Sequence, residues 1–88
     1  MFSKEITIMN ATGLHARPAS MFVQEAGKYK SDIHVVKDGK KINAKSIMGI
    51  MAGGIAKGTQ VVIEAEGEDE ETAVEALVAL IESKFGEE

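Results

Sequence analysis

The chain has 88 residues, 44% of them hydrophobic, with no Cys and a formal net charge of −4. That length allows one modest core, so a single domain over residues 1–88 is expected. The missing Cys excludes a disulfide framework, a thiolate metal centre and a cysteine nucleophile. No apolar run approaches the roughly 20 residues that span a bilayer, and Met1-Phe2-Ser3-Lys4-Glu5 lacks the shape of a secretory signal. A cytoplasmic chain without membrane insertion is therefore expected. The net charge hides an asymmetry. Residues 1–63 carry nine bases and four acids, whereas residues 64–88 carry ten acids and only Lys84 as a base. The first stretch is the one suited to an anionic partner. An acidic chain with one Arg and few aromatics is not built for direct nucleic-acid binding.

Phe2 to Ile8 alternates, with Phe2, Ile6 and Ile8 on one side, which predicts a half-buried strand. Asn10 to Gly13 is turn chemistry. From Ala16 the period becomes helical through Ala19, Phe22, Val23 and Ala26. Pro18 lies in the first turn, where its missing N–H costs nothing, and Gly27 is a stop. Asp32–Lys37 and Lys40–Asn43 flank Asp38-Gly39, a hairpin turn. Ser46 is positioned to cap a short helix that ends at Gly53-Gly54. Lys57-Gly58-Thr59 reads as a turn. Gln60 to Glu66 alternates again, with Val61, Ile63 and Ala65 inward, and Gly67 ends that strand. Glu68 or Asp69 is expected to cap the last helix, with Glu70 and Glu71 complementing its dipole. Its apolar stripe is Val74, Leu77, Leu80, Ile81 and Phe85. The order βαββαβα predicts an α+β fold, an antiparallel sheet with its helices on one face.

The only Arg and the only Pro lie within three residues of a His, in Gly13-Leu14-His15-Ala16-Arg17-Pro18-Ala19. His15 falls at the start of the first helix. Unpaired N–H groups and the helix dipole favour a phosphate there. Arg17 adds a permanently charged fork that matches phosphate oxygens, and neutral imidazole is nucleophilic. Residue pattern alone leaves phosphate binding, phosphoryl transfer and an ordinary exposed His all open. A metal site needs three or four ligands. The only other His is His34, in a strand, so neither a metal nor a cofactor is expected.

Lys45-Ser46-Ile47-Met48-Gly49-Ile50-Met51 is the second informative segment. Ile50 is the expected core residue. Ile47, Met48 and Met51 are left for an exposed apolar patch, a use to which Met is suited, although Met can also fill a core. Ser46 needs no function beyond capping. A phosphate on it would still be accommodated by the helix start and would place negative charge beside the patch.

These two motifs, in a chain of this length and element order, resemble the HPr family, the histidine-containing phosphocarriers of the bacterial sugar phosphotransferase system. The Gly58-Thr59 turn and the Ala65-Glu66-Gly67 strand end also fit. The resemblance covers essentially the whole chain and implies an open-faced β-sandwich, a four-stranded antiparallel sheet covered on one face by three helices. It implies that enzyme I, charged by phosphoenolpyruvate, phosphorylates His15 on Nδ1, with Arg17 as phosphate partner. The group then passes to the IIA unit of a sugar permease. In the Gram-positive type it implies that an HPr kinase/phosphorylase modifies Ser46, and that this form binds a catabolite-control transcription factor. The implied partner-binding surface comprises Ile47, Met48 and Met51 with Thr12, Ser20 and Gln24. The implied protein is a monomeric carrier and not an enzyme.

Two positions depart from the family pattern. Thr12 replaces a frequent Ser and keeps the hydroxyl. Gly53 stands where Leu is common in similar Gram-positive sequences, which bears on the size of the docking patch. A regulatory relative in some bacilli lacks the active histidine, whereas this chain has His15. Two other functions use the same residues: a regulatory module switched at Ser46 with an idle His15, and a small hydrolase with His15 as base. The chain offers no convergent acid, nucleophile and oxyanion set for the hydrolase.

Overall fold

The alternating segments form strands because each has one apolar side to bury, and the helical segments supply the cover. In the computed structural model, which describes residues 1–86, the order is β1 (Phe2–Thr7), α1 (Ala16–Ala26), β2 (Asp32–Lys37), β3 (Lys40–Asn43), α2 (Ile47–Ala52), β4 (Gln60–Glu66) and α3 (Glu70–Glu82). A 3-10 turn at Lys84–Gly86 follows. Glu87 and Glu88, counted above in the acidic stretch, lie outside the described residues. The sheet order is β1-β4-β2-β3, and every neighbouring pair is antiparallel. Three helices cover this open-faced sheet, as the sequence pattern predicts. Among the described residues no helix is long and apolar enough to cross a membrane.

The sheet buries Ile33, Val35, Val61, Ile63 and Ala65. Phe22 of α1, Ile50 of α2 and Val74, Leu77 and Ile81 of α3 join them in the same core. Alternation in β4 is read directly: Val61, Ile63 and Ala65 are buried between more accessible neighbours. Asp38 and Gly39 both take positive φ, 51° and 78°. The tight β2–β3 turn requires this.

Three details differ from the sequence reading. β1 ends at Thr7. Ile8 leaves the ladder to pair with the turn after α2, its N–H reaching Thr59 O at 2.9 Å while its carbonyl accepts from Gly58 N at 2.6 Å. Asp69 occupies the N-cap of α3, but its side chain makes no cap bond. It instead accepts from Lys30 N, Ser31 N and Ser31 Oγ, at 2.9, 3.0 and 2.5 Å. Glu70 Oε1 takes the Gly67 N–H. Phe85 is fully buried but lies beyond α3, at φ 55°, in the 3-10 turn. In α3, Ala73 and Val78 complete the buried stripe, and Leu80 is only partly buried.

Candidate functional site

The first site is built where the chain leaves β1 and enters α1. Asn10 is buried, and its Nδ2 donates to the Gly13 carbonyl at 2.9 Å. Gly13 has φ 64° and sits against the segment after α2. A Cβ there would collide with the Ile55 carbonyl oxygen and lie 2.7 Å from Ala56 Cα. Only glycine lets the loop come so close. Leu14 is then buried, with its N–H on Ile55 O at 2.8 Å. This lock fixes the backbone immediately before His15.

His15 is the N-cap of α1, in extended conformation (φ −136°, ψ 153°), and its side chain makes no cap bond. The imidazole is therefore exposed and not committed to the helix it starts. Ala16 follows at φ 52°, in the left-handed region. That conformation costs an Ala roughly 1 kcal/mol, and the well-tied loop before it and the helix after it hold it there. Arg17 is exposed. None of the ion pairs among the described residues engages it. Pro18 is buried in the first turn. The helix start thus presents a side-chain imidazole and a guanidinium to solvent.

His15 lines an open depression of about 200 Å³ with Thr12, Leu14, Met51, Gly54 and Ile55. Thr12, His15 and Met51 are thus brought together. Ser20 and Gln24 lie on the exposed side of α1, opposite buried Ala19, Phe22 and Ala26. On α2, Met48 is 79% exposed and Ile47 and Met51 are each 38% exposed, while Ile50 is buried. One short helix therefore anchors through Ile50 and shows the other three apolar side chains to solvent. α1 and α2 pack together.

Ser46 stands apart from the depression. It is the N-cap of α2, and its Oγ accepts from Gly49 N at 3.1 Å. Met51 is near the other end of that helix, whose six residues rise about 9 Å. Two contributors were not singled out in the sequence. Asn10 read only as turn chemistry. Lys37 read only as a strand residue, yet its Nζ donates to the carbonyls of Gly53 and Gly54 at 3.1 and 3.0 Å. It thereby holds the segment that walls the depression. The adjacent Gly53-Gly54 pair was the only local sign that this stretch is special.

Residues 2–83 match the PTS-HPr family, described as the PTS HPr component phosphorylation site. The chain belongs to the HPr family. HPr-C-His from Thermoanaerobacter tengcongensis is similar throughout: 62% identity, a TM-score of 0.98, and coverage of 100% of this chain and 99% of that one. The HPr of Bacillus anthracis str. Ames is 50% identical at a TM-score of 0.85, over 89% of this chain and 93% of that one. The HPr-like protein Crh of Halalkalibacterium halodurans is 50% identical over 84 residues, 96% of this chain and all of that protein. As an HPr-family member this protein is a phosphocarrier, a covalent relay of phosphoryl groups and not a turnover enzyme.

Proposed function

We propose that His15 is the residue that carries the phosphoryl group, through Nδ1, and that Arg17 holds its oxygens. The observation that carries this is an exposed imidazole at a helix N-cap, unused for capping, two residues before an Arg outside the described ion pairs. In the transfer step a P–N bond forms at Nδ1 as the donor's bond to phosphorus breaks. The dianionic group then meets the helix start and the guanidinium. The next acceptor reverses the step. The exposed imidazole leaves room for in-line approach by either protein.

The donor in this reading is enzyme I charged by phosphoenolpyruvate, and the acceptors are IIA units of sugar permeases, all in the cytoplasm. They dock on Ile47, Met48 and Met51, with Thr12, Ser20 and Gln24 at the margin, and the carrier acts as a monomer. Ser46 is the regulatory site, phosphorylated by an HPr kinase/phosphorylase. The modified form binds a catabolite-control transcription factor. A phosphate on Ser46 Oγ would sit at a helix start, where it is tolerated, and beside the apolar patch, where it changes which partners fit.

The match to Crh favours a second reading, a regulatory module alone, and His15 is the residue that separates the two. Incubation with enzyme I and phosphoenolpyruvate should yield an acid-labile phosphoprotein. His15→Ala should abolish it and Arg17→Met should slow it. Acid-labile phosphate on the His15→Ala protein would remove the assignment. Ser46→Ala should keep the relay and lose modification by the kinase.

A further inference from the structure

Among the described residues a second cavity exceeds the His15 depression in volume. It lies behind α2, between that helix and the β2–β3 hairpin, and has a volume of about 360 Å³. Its rim is Lys37, Lys40 and Lys41, and its floor is Ile42, Gly49 and Gly53. That volume is within the range of small-molecule sites. We propose that this cleft binds a small organic phosphate monoester of about three to six carbons, at a site separate from His15.

Charge and shape both point this way. Lys37 and Lys40 are directly opposite each other across the hairpin. Like charges in that relation destabilise a strand pair, and neither lysine has an ion-pair partner among the described residues. The Lys37 ammonium is held on the carbonyls of Gly53 and Gly54, so its position is fixed without a carboxylate partner among the described residues. Lys41 is different: it pairs with Glu64 at 3.0 Å. Asp38 also lines the cleft and subtracts one charge. Lys37 and Lys40 therefore carry the surplus, and a phosphate between them would relieve their repulsion.

The floor suits a carbon skeleton. On the α2 side it presents Gly49, Ala52 and Gly53, which project almost nothing into the space, and Ile42 forms the apolar base. A Cβ at Gly53 would lie 2.6 Å from Ile42 Cδ1, so a larger residue there takes up the floor. A phosphate monoester fits this combination, its phosphate at the lysine rim and its carbon chain over Ile42 and Ala52. Inorganic phosphate would gain only the rim.

The experiment is an amide-resolved NMR titration of the full chain with glycerol 3-phosphate, inorganic phosphate and glycerol. Glycerol 3-phosphate should shift residues 37–42 and 49–53 with a Kd on the order of 1 mM. Inorganic phosphate should bind this cleft more weakly, and glycerol should not bind. Lys40→Met and Gly53→Leu should each weaken the response about tenfold. Lys40 is exposed, and the Gly53 clash is with the flexible end of Ile42, so both variants should fold. Shifts confined to residues 15–18, or a Gly53→Leu protein that responds like the parent, would overturn the proposal. Equal responses to glycerol and glycerol 3-phosphate would also overturn it.

Discussion

At Gly13 a single hydrogen atom in place of a methyl group decides whether the site exists. The φ of 64° and the approach to Ile55 and Ala56 leave no volume for a side chain. Gly13→Ala should cost about 2–4 kcal/mol in chemical denaturation, combining backbone strain with a clash against main chain. Asp69 acts at a different distance. The Ser31 hydroxyl and the Lys30 and Ser31 N–H groups lower its carboxyl from an ordinary 3.8 to about 2. A carboxyl with a depressed pKa in the folded state stabilises fully above its unfolded value, and the contribution fades as acid protonates it. The parent should therefore lose thermal stability between about pH 4 and pH 2. Asp69→Asn should melt lower at neutral pH and show a shallower acid dependence through that window, a difference read from Tm against pH. A parallel pair of curves would mean that the Ser31 tie carries no stability.

At the scale of elements, α2 divides its labour by face and by end. Ser46→Ala removes the cap on Gly49 N and should cost about 1 kcal/mol of global stability. Ile50→Ala empties a fully buried position and should cost about 3 kcal/mol. Met48→Ala removes a side chain that is 79% exposed and should change stability by less than about 0.5 kcal/mol. Its effect should instead be a raised KM in phosphotransfer. A denaturation series on these variants, paired with a relay assay, separates the two faces. The same helix illustrates what sequence makes visible. Ser46 before a helical run and Ile50 amid four apolar residues are local signals, as are Asp38-Gly39 and the alternation of β4. Local pattern could not show that the Asp69 carboxylate leaves its own helix for residues about 38 positions away in the chain. Its short polar side chain serves either use equally well, and packing decides. Phe85 continued the spacing of α3, but the helix stops at Glu82 and the ring reaches the core from a left-handed turn. The placement of His15 and Arg17 at a helix start was legible because helix-start signals are local. The wall opposite, from Gly54 to Ala56, was not, because it is assembled from a segment about forty residues later.

For the molecule as a whole, these pieces set the exposed His15 on a small, well-tied frame. β1 and β4 pair through Phe2 to Thr7, Lys37 pins the loop after α2, and Leu14 is bonded to that same loop. The frame leaves the imidazole exposed and holds the backbone beneath it. An exposed imidazole on a held backbone is what the proposed relay through His15 requires. The most direct measurement is site mapping of the phosphate after reaction with enzyme I and phosphoenolpyruvate, by ³¹P NMR and by intact-protein mass spectrometry. One phosphate per chain is expected, on a ring nitrogen of His15, labile in acid and absent from His15→Ala. Phosphate that survives acid, or that appears undiminished on the His15→Ala protein, would contradict the relay.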